Sequence, residues 1–164
     1  MNFPERKPTR LKNYDYSTPN AYFITICTKD RKCILSDISV GDDAYIVPQL
    51  HLSHYGMVCD RYIRNINEKY ENVTVDKYII MPNHIHMIIS IGGTMRASSP
   101  TKKVWDIVRS FKILVTKETG KRIWQRSFHD HVIRGEDDYR KIWEYIDTNV
   151  FKWENDCFYV KKEM

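Results

Sequence analysis

Residues 79–91 carry the clearest apolar pattern of the chain. Ile85, Met87, Ile89 and Ile91 recur at every second position, as one face of a β-strand does, and His84 and His86 fall together on the other face. Residues 21–28 (AYFITICT) are β-branched and aromatic and predict a strand. Residues 34–52 hold Gly41-Asp42-Asp43 between two strand-like runs, a hairpin pattern. The period then changes. Ser53 is placed to cap a helix running to about Tyr70, with Val58, Tyr62, Ile63 and Ile66 as its apolar stripe. Residues 73–81 predict a second core strand, Pro82-Asn83 a turn or bulge, and 84–91 a strand continuing the sheet.

Gly92-Gly93 closes that segment, and residues 95–100 read as a small-residue loop. Thr101 is expected to cap a second helix running to about Thr119 and stopped by Gly120, with Val104, Trp105, Val108, Phe111 and Val115 as its apolar set. Residues 123–133 predict a further strand. Glu136-Asp137-Asp138 opens a third helix to about Asn149, with acids in the first turn where the helix dipole favours them. The order is strand, hairpin, helix, two strands, helix, strand, helix. It predicts an α+β fold, a ferredoxin-like antiparallel sheet with helices on one face plus an inserted β-hairpin. Residues 1–18 form a basic arm, 19–150 one domain and 151–164 a C-terminal tail.

Length and composition agree with a single packed domain: 164 residues, 42% hydrophobic and 29% charged. No apolar run approaches the roughly 20 residues that span a bilayer. The polar, basic start lacks the apolar stretch of a secretory signal, so a cytoplasmic location is expected. Cys27, Cys33, Cys59 and Cys157 form no Cys-x-x-Cys and read as reduced thiols rather than a zinc ribbon. Net charge is +5, which permits a polyanionic partner. Eleven tyrosines and four tryptophans could stack on unpaired bases, although most aromatic residues belong to cores and their rims.

Two imidazoles side by side on a stiff apolar strand make half of a divalent-metal site. The third helix supplies candidates for the rest. Tyr139, Ile142, Trp143, Ile146 and Val150 share the stripe that must face the core, whereas Tyr145 lies on a polar flank with Asp138, Lys141, Asn149 and Lys152. Tyr145 and Asn149, four apart, stand one above the other. The Asn149 carbonyl can be a third metal ligand. Tyr145 would then present its hydroxyl beside a metal-bound group, the layout for a tyrosine attacking a phosphodiester. Tyr139 is the rival nucleophile, and its place on the core stripe argues against it.

These residues carry a resemblance. Met81-Pro82-Asn83-His84-Ile85-His86 resembles the histidine–hydrophobe–histidine motif of single-strand transposases. Trp143-Glu144-Tyr145-Ile146-Asp147-Thr148-Asn149 is similar to their tyrosine helix, and Trp124-Gln125-Arg126-Ser127-Phe128 with Asp130-His131-Val132-Ile133-Arg134 to the segment between. The family is the IS-two-hundred-like transposases and, within it, the REP-associated tyrosine transposases. Asn149 stands where insertion-sequence enzymes often have glutamine, and Val150 follows it where the REP-associated branch often has proline. The resemblance implies Tyr145 as the nucleophile, left bound to a 5′ phosphate with a 3′ hydroxyl freed, and His84, His86 and Asn149 as ligands of Mg²⁺ or Mn²⁺. It implies single-stranded or hairpin DNA as substrate. Family members include dimers with shared sites and monomers, so both stay open, and no membrane is involved.

Candidate DNA contacts are Arg6, Lys7 and Arg10 of the arm and Lys102, Lys103, Arg109 and Lys112 of the second helix. Arg126, His131 and Arg134 join them, although each single residue serves equally as a solvated surface. His129 shares a face with His131, and a structural role for that pair is favoured. Besides the strand transferase, two functions fit the residues. One is a non-catalytic binder of structured single strands. The other is a metal-dependent phosphoesterase that uses water and needs a base the sequence does not identify.

Overall fold

The computed structural model describes residues 19–39, 47–92 and 103–160. The basic arm with Arg6, Lys7 and Arg10, the Gly41-Asp42-Asp43 turn, the 95–100 loop, and Thr101 and Lys102 lie outside the described residues.

Strands β1 (Asn20–Cys27), β4 (Val73–Ile80), β5 (His84–Ile91) and β6 (His129–Val132) form one antiparallel sheet in the order β4-β5-β1-β6. Helix α1 (His54–Lys69) joins β1 to β4, and α2 (Val104–Thr119) joins β5 to β6. This is the βαββαβ arrangement the ferredoxin-like prediction requires. The inserted hairpin is present as β2 (Ser36–Ser39) paired with β3 (Gln49–Leu52). No helix among the described residues is long and apolar enough to cross a membrane.

Alternation along the central strands divides the sheet into two faces. Tyr22, Ile24 and Ile26 of β1 stand opposite Ile89, Met87 and Ile85 of β5. All six are at most 1% exposed, under the buried stripes of α1 (Val58, Ile63, Ile66) and α2 (Val104, Val108, Phe111, Val115). The second face carries Phe23, Thr25 and Cys27 of β1 and His86 and His84 of β5. Helix α3 (Glu136–Thr148) packs here, placing Ile146 against Ile88 and Ile133 with Tyr139, Ile142 and Trp143 around them. The one-sided cover of the prediction is therefore that of α1 and α2, while α3 adds a layer on the opposite side. It must do so to meet side chains that alternate with the buried isoleucines.

Local chemistry sets the element ends. Ser53 Oγ accepts the Gly56 amide at 3.2 Å, the expected N-cap of α1. Gly56 is obligatory there for space: a Cβ on it would lie 2.1 Å from the Leu35 carbonyl oxygen. Gly120 ends α2 at φ +66°, a left-handed conformation that suits glycine.

Two boundaries differ from prediction. Helix α2 starts at Val104 with Lys103 at the N-cap position, two residues later than expected and with no side-chain cap. The strand predicted over 123–133 pairs only over His129–Val132, apart from an isolated bridge between Trp124 and Thr28. In between, Lys112 Nζ donates to the carbonyls of Gln125 (2.6 Å), Arg126 (3.4 Å) and Ser127 (3.3 Å), drawing that stretch out of the ladder toward α2.

Candidate active site

His84 and His86 are 0% and 1% exposed, at the end of β5 that follows the Pro82-Asn83 turn. Their outer nitrogens are held from behind. His84 Nδ1 lies 2.9 Å from Asn83 Oδ1, and His86 Nδ1 lies 2.9 Å from Thr25 Oγ1 on the neighbouring strand. Asn83 Oδ1 can only accept, so His84 carries its proton on Nδ1 and leaves the Nε2 lone pair free. The two imidazoles sit side by side, with ring centroids 4.4 Å apart. Burial pushes the His84 imidazolium down to about 3, helped by the charge of Arg31. Burial also pushes His86 down to about 3, with His84 adding to the shift and Asp156 opposing it. Both rings are therefore neutral at neutral pH, as ligands must be.

Helix α3 brings Tyr145 and Asn149 to the same place, as their spacing predicts. The Tyr145 hydroxyl lies 3.3 Å from His86 Nε2 and 3.4 Å from Asp156 Oδ2, and the ring is 39% exposed. Phe23 stacks on His86 at 5.1 Å and meets Tyr145 edge-on at 6.1 Å. Asn149 is 2% exposed; its Nδ2 donates to Asp156 Oδ2 at 3.1 Å. Among the described residues, two buried polar atoms here have no hydrogen-bond partner, His84 Nε2 and Asn149 Oδ1. A buried acceptor without a donor is costly, and a cation is one partner that either atom could take. Desolvation, then the charge of Asp156, raises the Tyr145 phenol to about 12, so it holds its proton as the site stands.

Asp156 was not predicted. Its carboxylate and one nitrogen from each of His84 and His86 all lie within 4.8 Å of one another, a group able to hold a metal ion. It arrives because the chain continues from α3 through Asn149, still helical at φ −62° and ψ −38°, into a 3-10 helix over Val150–Asn155. The segment then folds back over the histidines. Phe158 and Trp153 lie 4.6 and 5.9 Å from the His84 ring. Asn83 Nδ2 donates to Phe158 O at 2.8 Å, and Arg31 Nη1 to Cys157 O at 3.1 Å. No periodicity in residues 151–160 signals this. The motif residue Asn83, with one end on His84 and the other on the returning chain, was the nearest hint. Asp30 and Arg31 both adopt positive φ (57° and 53°), a strained turn that places the Arg31 guanidinium over the Phe158 ring.

The other predicted contacts do not converge on this centre. His131 Nε2 pairs with Asp138 Oδ2 at 2.8 Å, and that carboxylate also accepts the Arg134 amide at 2.9 Å. This ties β6 to the start of α3. Lys103 Nζ lies 5.4 Å from the Trp105 ring centre. Arg109, Lys112 and Arg126 line a separate cleft beside α2. Tyr139, the rival nucleophile, donates its hydroxyl to Asp76 at 3.0 Å within the second core.

No family model matches the chain. It is 35% identical over 175 aligned positions to an uncharacterized protein of Haemophilus influenzae strain Rd, covering 94% of this chain and 93% of that one. Its fold is similar to the structure of a REP-associated tyrosine transposase bound to a REP hairpin. The TM-score is 0.61 at 21% identity, over 87% of this chain and 74% of the other.

Proposed function

From a chain that belongs to one family with the Haemophilus influenzae protein and has the fold of the IS-two-hundred-like, REP-associated tyrosine transposases, we propose a metal-dependent transposase that cuts and rejoins single-stranded DNA through Tyr145. The observation that carries the proposal is the Tyr145 hydroxyl 3.3 Å from Nε2 of a buried, neutral histidine pair, beside two unpartnered acceptor atoms. One chain supplies every one of these groups.

In this reading His84 Nε2, His86 Nε2 and Asn149 Oδ1 hold Mg²⁺ or Mn²⁺, with the Asp156 carboxylate alongside. The cation, when bound, draws charge from the non-bridging oxygens of the scissile phosphate. Thr25 and Asn83 keep the imidazoles facing inward. Tyr145 attacks phosphorus in line, and Asp156 Oδ2 at 3.4 Å is placed to take the phenolic proton. The Tyr145 oxygen–phosphorus bond forms as the bond to the 3′ oxygen breaks, and that oxygen takes a proton from water and leaves as a 3′ hydroxyl. The phosphotyrosine conserves the ester, so a new 3′ hydroxyl can reverse the step and rejoin strands without an external energy source. Because Phe158 and Trp153 cover His84, the returning segment shifts to admit a phosphate. The substrate is hairpin-bearing DNA of the kind the structural neighbour binds.

The test is a denaturing gel for a covalent protein–DNA adduct. Labelled single strands from the gene's own flanks are incubated with Mn²⁺ or Mg²⁺ and wild type, Tyr145→Phe or His86→Ala. An adduct in wild type alone is the expected result. An adduct that survives Tyr145→Phe refutes the nucleophile. DNA binding with no adduct in any of the three proteins indicates a non-catalytic binder instead.

A further inference from the structure

A large cleft lies away from the histidine pair, between α2 and the stretch that Lys112 draws out of the sheet. It encloses about 1170 Å³. That exceeds the roughly 300–1,000 Å³ of small-molecule pockets, so the cleft suits a ligand that extends through it. Its walls combine two chemistries. Trp105, Trp124 and Phe128 give aromatic surface, and Arg109, Lys117, Arg122 and Arg126 give positive charge. Among the described residues, the one lining carboxylate is Asp106. Among the described residues, none of those four cations forms an ion pair. Lys112 is spoken for by its three carbonyls, and burial lowers its pKa.

We propose that this cleft binds an unpaired segment of the DNA strand that Tyr145 cuts, its phosphates on the arginines and its bases against the aromatic rings. The proposal rests on the reading of the chain as a single-strand DNA enzyme. Excess positive charge in a concave site selects a polyanion. The aromatic faces select against duplex, whose bases are already stacked on one another, and for unpaired bases.

Continuity with the catalytic centre supports the same ligand. The Gln125 amide donates to Cys27 O at 3.0 Å, the Lys29 amide donates to Ile123 O at 2.7 Å, and Trp124 bridges Thr28. Cys27 stands directly opposite His84 in the β1–β5 ladder. The cleft is thus anchored to the strand end that carries the metal-site histidines, on the α2 side of the sheet rather than the α3 side. A strand leaving the cleft rounds this end to reach Tyr145.

The experiment uses the full chain carrying Tyr145→Phe, so that binding is read without covalent capture and independently of the nucleophile. Fluorescein-labelled oligothymidine is titrated by anisotropy over a range of salt, beside the same strand annealed to oligoadenine. Arg109→Ala/Arg126→Ala is expected to weaken single-strand binding at least tenfold and to shallow the salt dependence by about 0.7 per lost phosphate contact. Trp105→Ala is expected to weaken it by roughly 5- to 100-fold, the range of one lost stacking contact. Lys69→Ala, in the last turn of α1 and not among the residues that line the cleft, is the charge control and should leave binding unchanged. Thermal melts confirm that each variant is folded. Undiminished binding in the folded cleft variants overturns the proposal. So does equal loss for single strand and duplex, or no single-strand binding by the parent. If the cleft variants behave as expected but wild type forms no adduct on the gel, the nucleophile assignment fails and the cleft assignment stands.

Discussion

Burying two neutral imidazoles makes the folded chain sensitive to mild acid. His84 and His86 titrate at about 3 in the folded state against 6.5 for a free histidine. Between those values the unfolded chain binds more protons than the folded one, so stability falls as pH falls. From about pH 7 to about pH 5 each histidine costs about 2 kcal/mol, and the pair about 4 kcal/mol. The figure barely depends on the folded value, provided that value lies well below 5, because the unfolded chain alone takes up protons in this window. At a urea slope of about 2 kcal/mol/M the unfolding midpoint drops by about 2 M. Urea titrations followed by tryptophan fluorescence in metal-free buffer at the two pH values measure this directly. His84→Gln/His86→Gln, which cannot titrate, should flatten the response whatever its absolute stability. A wild-type midpoint that moves by less than about 0.3 M, equivalent to well under 1 kcal/mol, would refute the inference that the pair is buried and neutral.

Mn²⁺ should stabilise the folded protein, by about 2.7 kcal/mol at a hundredfold excess over its dissociation constant. The gain, read as a rise in melting temperature, should vanish in His84→Ala and fade in acid as protons compete for the imidazoles. Gly56→Ala should lower the urea midpoint by an amount equivalent to about 1–3 kcal/mol, because its Cβ meets the Leu35 carbonyl at 2.1 Å. Lys112→Met should cost about 1–3 kcal/mol in the same assay by orphaning the part-buried Gln125 carbonyl. It should also raise amide exchange in that stretch, which a residue serving only as a phosphate contact would not do.

What the chain determined by itself is what the backbone's own periodicity determines. Period two on β5 put His84 and His86 on one face and Ile85, Met87 and Ile89 on the other, wherever the strand came to lie. Period 3.6 put Tyr145 and Asn149 on one flank of α3 and Ile146 on another. Ser53 and Gly120 marked helix ends through chemistry that acts within one turn. The order of elements narrowed the sheet to the ferredoxin-like arrangement. Tertiary structure decided the rest, because it concerns partners far apart in sequence. Docking placed α3 over the second face and so joined its flank to the histidines. Thr25 and Asn83 oriented the imidazoles across a strand pair and a turn. Lys112, outwardly a surface cation, became the tie that opens the cleft. Asp156 and Phe158 reached the centre only because the chain past α3 continues helically and folds back, and a segment with no repeating pattern carries no local record of where it will pack.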